Sequence, residues 1–278
     1  MTEIPRSQFF GRDAQEVAQT YLTWYRRLLL RSVVAVIAVG IAAIASLYYL
    51  DNLLLYFVGL GAIVCLGVSC RLRVNKEFRA LTGIINTDCD VAKWRYVIEQ
   101  IRKRATRRRR SRALCDCYLA LADLEDARPA DALRRMAGLE FGRNSILNVM
   151  LYQNRAVCAH CLGDDAACGA SLAALRELTD RYRNGSKRRS LAERQLADLT
   201  LSLKPCSSWD AADAARAAER REAAESHRES VSWTLLLAEH ELESGRPAAA
   251  LELLDEKNLA PLTPRAHERR AALLARLS

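Results

Sequence analysis

Between Arg31 and Arg71 the chain carries one formal charge, Asp51, and no lysine or arginine. A water-facing stretch of that length needs charged side chains, so their absence points to a membrane-embedded segment. From Ala113 onward there is little alternation at a period of two and no succession of β-branched runs, which excludes a sheet as the organising element. Histidine is scarce, with four in 278 residues. His227, His240 and His267 stand apart from any nucleophile pattern and are expected at the surface or in capping roles. Gly59-Leu60-Gly61 lacks the preceding strand and the full glycine pattern of a dinucleotide loop. No reaction-specific constellation is present, so neither an enzyme nor a bound cofactor is expected.

What is present begins with two apolar blocks, Ser32 to Leu50 and Leu53 to Cys70. At about 1.5 Å per residue each makes a helix of roughly 27 to 29 Å, close to the hydrocarbon thickness of about 30 Å. Only Asp51 and Asn52 separate them, which predicts a tight turn and an antiparallel transmembrane hairpin. Tyr48, Tyr49, Tyr56 and Phe57 suit one headgroup layer, and Trp24 and Tyr25 the other. Arg26, Arg27 and Arg31 precede the first block, while Arg71, Arg73, Lys76 and Arg79 follow the second. The positive-inside bias therefore places both termini of a two-span protein in the cytoplasm. Ala38, Ala42, Ser46, Gly59, Gly61 and Gly67 would let the two backbones approach closely, and use of that seam between two copies stays open. A hairpin wedged into one leaflet is the rival arrangement.

The net charge of +9 is unevenly spread: residues 1–112 hold 19 Lys+Arg and 8 Asp+Glu, whereas 113–278 hold 23 and 25. The excess peaks at Arg102, Lys103, Arg104, Arg107, Arg108, Arg109, Arg110 and Arg112. Near a cytoplasmic leaflet each such residue gains on the order of 1 kcal/mol from anionic lipid, which makes the run a candidate headgroup-binding segment. No aromatic side chain interrupts it for base stacking, and the chain beyond is slightly acidic, which argues against nucleic acid. Nine cysteines follow no secreted framework, so reduced thiols are expected in the cytosol. Cys158, His160, Cys161 and Cys168, with Cys115 and Cys117, could be read as zinc ligands. Packing explains them as well, since buried cysteine behaves as a small hydrophobe, and no metal is expected.

The chain divides into an amphipathic start at 1–31, the hairpin at 32–70, basic juxtamembrane helices at 71–112 and a helical-repeat domain at 113–278. An N-cap at Asp13 opens a helix that feeds the first span, Thr82-Gly83 interrupts the helix leaving the second, and a new helix starts near Asp88 or Asp90. Farther on, a short helix, a tight break and a second helix recur three times, with small residues twelve positions apart. The pairs are Ala120 and Ala132, Ala156 and Cys168, and Ala238 and Ala250. A degenerate unit lies between, using 191–203 and 209–226 across Lys204-Pro205-Cys206-Ser207-Ser208. Thr263 and Pro264 begin a last helix reaching Leu277, placed to cap the array.

In Leu-Gly-Asp at 162–164, Gly-Arg-Pro-Ala-Ala-Ala-Leu at 245–251 and Arg-Pro-Ala-Asp-Ala-Leu at 128–133, the chain resembles the tetratricopeptide repeat (TPR). Its spacings of 36 and 82 residues depart from the regular period of about 34. The resemblance implies an all-α solenoid with a concave protein-binding surface, and the likeness to membrane-anchored bacterial envelope proteins with such repeats implies a bacterial inner membrane. The expected function is a membrane-anchored scaffold or adaptor for a partner protein. The alternatives are a lipid-interacting, membrane-shaping hairpin protein and a non-catalytic regulatory subunit of a membrane enzyme or transporter.

Overall fold

The computed structural model describes residues 6–105 and 109–277, and every regular element among them is helical. Two compact units divide between Gly83 and Ile84. That boundary falls within the segment 71–112 expected as basic juxtamembrane helices.

The first unit is built on α1 (Ala14–Leu50) and α2 (Leu53–Leu81), packed side by side. Asp13 starts α1, its carboxylate accepting from the amides of Gln15 at 2.8 Å and Glu16 at 3.3 Å. Such a cap is worth about 1 kcal/mol. The helix then runs unbroken through the first apolar block. It stops where Asp51 turns left-handed at φ 46°, a conformation Asp tolerates better than apolar residues do. Asn52 caps α2 by accepting from the Leu55 amide at 3.1 Å, so the two polar residues of the turn end one helix and begin the next.

Both helices are long and apolar enough to span a membrane, and their apolar windows are almost wholly exposed. Ile37, Ile41, Ile44, Leu54, Val64 and Val68 all face outward. A contiguous apolar surface of this kind marks a face that contacts a membrane or another protein. Arg26, Arg27 and Arg31 of α1 and Arg71, Arg73, Lys76 and Arg79 of α2 lie toward the end opposite the turn.

The seam of the hairpin includes one of the expected glycines, Gly59, but not most of the other small residues expected there. Gly59 packs at Ala43, where a Cβ added to the glycine would stand 2.5 Å from the alanine Cβ. Ala38 and Ala42 are exposed, and nothing lies within 4 Å of a Cβ added at Gly61 or Gly67. Every face of these helices is apolar, so hydrophobic contrast does not reveal which small residues meet.

In the second unit, α3 (Gly83–Asn86) joins at Ile84, and α4 (Val91–Arg104) starts at Asp90, whose carboxylate accepts from the Lys93 amide at 2.9 Å. There follow α5 (Arg109–Glu125), α6 (Pro129–Met136), α7 (Leu147–Cys161), α8 (Asp165–Asp180) and α9 (Lys187–Leu203). After a 3₁₀ turn at Cys206–Ser208 come α10 (Ala211–Glu222), α11 (His227–Glu243), α12 (Pro247–Leu253), α13 (Glu256–Leu259) and α14 (Pro264–Ala275).

Three of the connections repeat one backbone geometry. Ala127, Gly163 and Gly245 adopt φ values of 56°, 70° and 70°. After each, an amide bonds back across the turn at 2.9 Å: Arg128 to the Asp123 carbonyl, Asp164 to that of Ala159, and Arg246 to that of Glu241. This is the six-to-one bond of a left-handed helix C-cap, and it folds α6, α8 and α12 back on their predecessors. The fourth connection, at Lys204–Ser208, uses the 3₁₀ turn instead.

Ala120, Ala132, Ala156, Cys168, Ala238 and Ala250 are all buried. Ala120 and Ala132 share a core with Cys117, Leu124, Met136 and Cys158, while Ala156 and Cys168 share one with Leu175 and Leu199. Within each pair the helices approach because these side chains are short. The arrangement is thus helical-repeat-like, with one turn type used three times.

The end of the array does not stay open. α14, started by Thr263 with Pro264 at its first position, packs against α11 and also against α5. The helix expected to cover a terminal face therefore links the late part of the unit to its early part.

Candidate functional site: an arginine-lined cleft and a mixed groove

α5 organises the charged chemistry of this unit. Asp116 and Asp123, two turns apart, share one face, whereas Glu125 points away from it. The first face, with α4 and α6, forms a cleft of about 500 Å³ lined by Arg95, Arg102, Asp116, Asp123, Arg128, Asp131, Arg134 and Arg135. Every lining residue is charged.

At its floor Asp123 is 1 % exposed and accepts from three guanidiniums. These are Arg95 at very short range, Arg135 through Nε at 2.7 Å and Arg128 at 3.3 Å. Asp126 accepts from Arg95 at 2.9 Å and from Arg128 at 2.8 Å. Arg102 pairs with Asp116 through Nε at 2.5 Å. A carboxylate this deep is tolerated because it is fully hydrogen-bonded to opposite charge. At the rim, the hydrogen bond from Arg134 holds the Asp131 carboxyl below the usual carboxylate range.

On the other side of α5, Glu125 is 4 % exposed. It accepts from Arg228 Nη1 of α11 at 2.7 Å and from the Thr263 hydroxyl at the start of α14 at 2.9 Å, with Arg265 at 3.8 Å. Burial pushes its carboxyl up, but Arg228 and Arg265 with the hydrogen bonds outweigh that and hold it below the ordinary value. Arg228 also donates to the Asn86 side chain at 3.1 Å. Sequence reasoning singled out neither Asp123 nor Glu125. The available signal was an acid placed twice in the otherwise apolar stretch Leu119–Glu125.

A second concavity, of about 590 Å³, lies between α10, α11, α12 and α13. Ala218, Leu237 and Leu253 give it apolar surface, and Arg221, Glu241, Glu252 and Asn258 give it polar surface.

The basic run is split by these contacts. Arg102 belongs to the cleft, while Lys103 and Arg104 at the end of α4 and Arg109, Arg110 and Arg112 at the start of α5 are exposed. Arg107 and Arg108 lie outside the described residues. The positive side chains ending α4 suit the helix dipole, whereas those beginning α5 oppose it, so the α5 set is not explained by helix stability.

Cys115, Cys117, Cys158 and Cys168 are buried and Cys161 is exposed. Among the described residues no three His, Cys, Asp or Glu side chains are placed to hold a metal ion. Burial pushes the thiols of Cys117 and Cys158 up to about 12 and that of Cys115 to about 11, the reverse of what a nucleophilic thiolate needs.

His240 departs from its expected surface place. It is buried, stacked on Trp209 with ring centroids 5.5 Å apart, and its Nδ1 lies 3.3 Å from the Cys206 carbonyl. His227 does cap, with Nε2 at 3.1 Å and 3.0 Å from the carbonyls of Leu259 and Pro261, and His267 is exposed.

No family model, no curated protein and no solved structure matches the chain.

Proposed function

We propose that the protein is a membrane-anchored scaffold whose TPR-like helical domain holds a partner protein at the surface of a bacterial inner membrane. The hairpin spans the bilayer with both termini in the cytoplasm, and the exposed arginines and lysine at the α4–α5 junction touch anionic headgroups. The observation that carries this reading is the thrice-repeated turn with short side chains buried beside it, joined in one chain to an exposed apolar hairpin. The groove at α10–α13 supports it too, because mixed apolar and polar lining suits a peptide segment that must leave as well as bind.

The test places a photo-crosslinking residue at Arg221 or Glu252 in the full chain in native membranes. One recurrent protein adduct is expected, and it should be lost on Ala218→Arg, at a half-buried residue of the groove, but kept on Arg109→Gln/Arg110→Gln. Adducts to lipid alone would replace this reading with that of a lipid-interacting structural protein.

A further inference from the structure

The cleft between α4, α5 and α6 has more donors than its own acids can use. Arg102 and Arg135 spend Nε on Asp116 and Asp123. Among the described residues neither gives its terminal nitrogens a protein acceptor. Five guanidiniums, of Arg95, Arg102, Arg128, Arg134 and Arg135, face only four carboxylates, since Asp126 joins Asp116, Asp123 and Asp131. The cleft therefore keeps positive charge and planar forks on its wall.

Its floor is also rigid. Asp123 fixes three of the arginines from a buried position, so the forks do not need to be ordered when a ligand arrives. The volume of about 500 Å³ falls in the range of small-molecule sites and is too small for a folded partner. With no apolar residue in the lining, it offers nothing to an acyl chain or an aromatic ring.

From this geometry we infer that the cleft binds a phosphate-bearing anion, gripped through the terminal nitrogens of Arg102 and Arg135. Guanidinium matches tetrahedral oxyanions bidentately, and a phosphomonoester supplies negative charge to a cleft in which one guanidinium has no carboxylate to balance it. The phosphate is either that of a soluble phosphomonoester or that of a lipid headgroup. This site is separate from the protein-binding groove and does not depend on the scaffold reading.

The test uses the full chain in phosphatidylcholine nanodiscs, with glycerol 3-phosphate titrated by calorimetry at low salt. A parallel arm uses nanodiscs containing phosphatidic acid and reads the rise in melting temperature. Saturable binding of glycerol 3-phosphate assigns a soluble ligand, and a response to phosphatidic acid alone assigns the headgroup. Either result supports the site if Arg135→Gln and Arg102→Lys each weaken it at least tenfold.

Arg102→Lys keeps the charge and removes the fork, and Arg102 sits at a partly exposed edge, so this variant carries the test even if Arg135→Gln fails to fold. The inference is overturned if neither probe binds. It is also overturned if binding survives both variants, or if Arg109→Gln/Arg110→Gln abolishes binding while the cleft variants do not.

Discussion

Replacing Glu125 by Gln tests whether the contact between α5, α11 and α14 holds the helical unit together. The substitution preserves shape and leaves an oxygen for the Thr263 hydroxyl, which donates at 2.9 Å. It removes the charge facing Arg228 at 2.7 Å and Arg265 at 3.8 Å. Taking one partner from a buried ion pair costs about 3 to 5 kcal/mol. The two arginine side chains are 27 % and 32 % exposed, so water takes up part of the stranded charge and the lower end, about 3 kcal/mol, applies. For a unit of this size that lowers the melting temperature by about 6 to 12 °C.

The assay is thermal and urea unfolding of the detergent-solubilised chain, followed by circular dichroism from pH 7 to pH 3. The Glu125 carboxyl titrates below its ordinary value of 4.5 in the folded state. Its contribution is therefore complete above about pH 4.5 and disappears as pH falls through the folded value. The gap between wild type and variant should be full at pH 7 and should close in acid. A gap under about 1 kcal/mol at pH 7, or one that persists undiminished at pH 3, would refute the argument. Adding Arg228→Met to the variant should cost less than the two single changes together, because the stranded cation is gone.

Other outcomes follow from packing and burial. Gly59→Ala drives a Cβ to 2.5 Å from that of Ala43 and should weaken the hairpin by about 1 to 3 kcal/mol, while Gly61→Ala, which meets nothing within 4 Å, should not. Denaturation by sodium dodecyl sulfate measures both, and equal behaviour of the two variants would remove the proposed seam. A thiol reagent at pH 8 should label exposed Cys161 quickly and buried Cys117 and Cys158 only as the chain unfolds. Those two thiols titrate near 12 in the folded state against an ordinary 9.0, so their contribution is complete below pH 9 and declines as pH rises toward 12. Unfolding at graded alkaline pH should show this decline, and Cys117→Ala/Cys158→Ala should make it shallower without abolishing it, because burial also raises the thiols of Cys89, Cys115 and Cys206.

The legible parts of the chain are those fixed by neighbours in sequence. Asp13, Asn52, Asp90 and Thr263 cap helices through bonds spanning two or three residues. The breaks at 163 and 245 follow from glycines that turn left-handed before Asp or Arg-Pro, whereas at 127 an alanine is held left-handed and the local mark is Pro129 two residues on. The bond from Thr263 to Glu125 spans 138 residues and that from Arg228 to Glu125 spans 103, and no local pattern encodes either. Arg102 read as one more member of a basic run, because its acid partner Asp116 stands fourteen residues away on another helix. Of the small residues expected at the hairpin seam Gly59 lies there and Ala38, Ala42, Gly61 and Gly67 do not, because along a stretch apolar on every side the sequence carries no contrast to mark the contact side.

The return of α14 to α5 changes how this unit should gain and lose structure. An open stack of helix pairs can fray from its ends, and each pair feels only its neighbours. Here the two ends of the stack hold one another through Glu125, so loosening either end removes support from the other. Such a unit is expected to melt as one cooperative block rather than by unzipping. Inserting or deleting a helix pair would displace one side of the contact relative to the other, so the number of pairs is fixed by geometry.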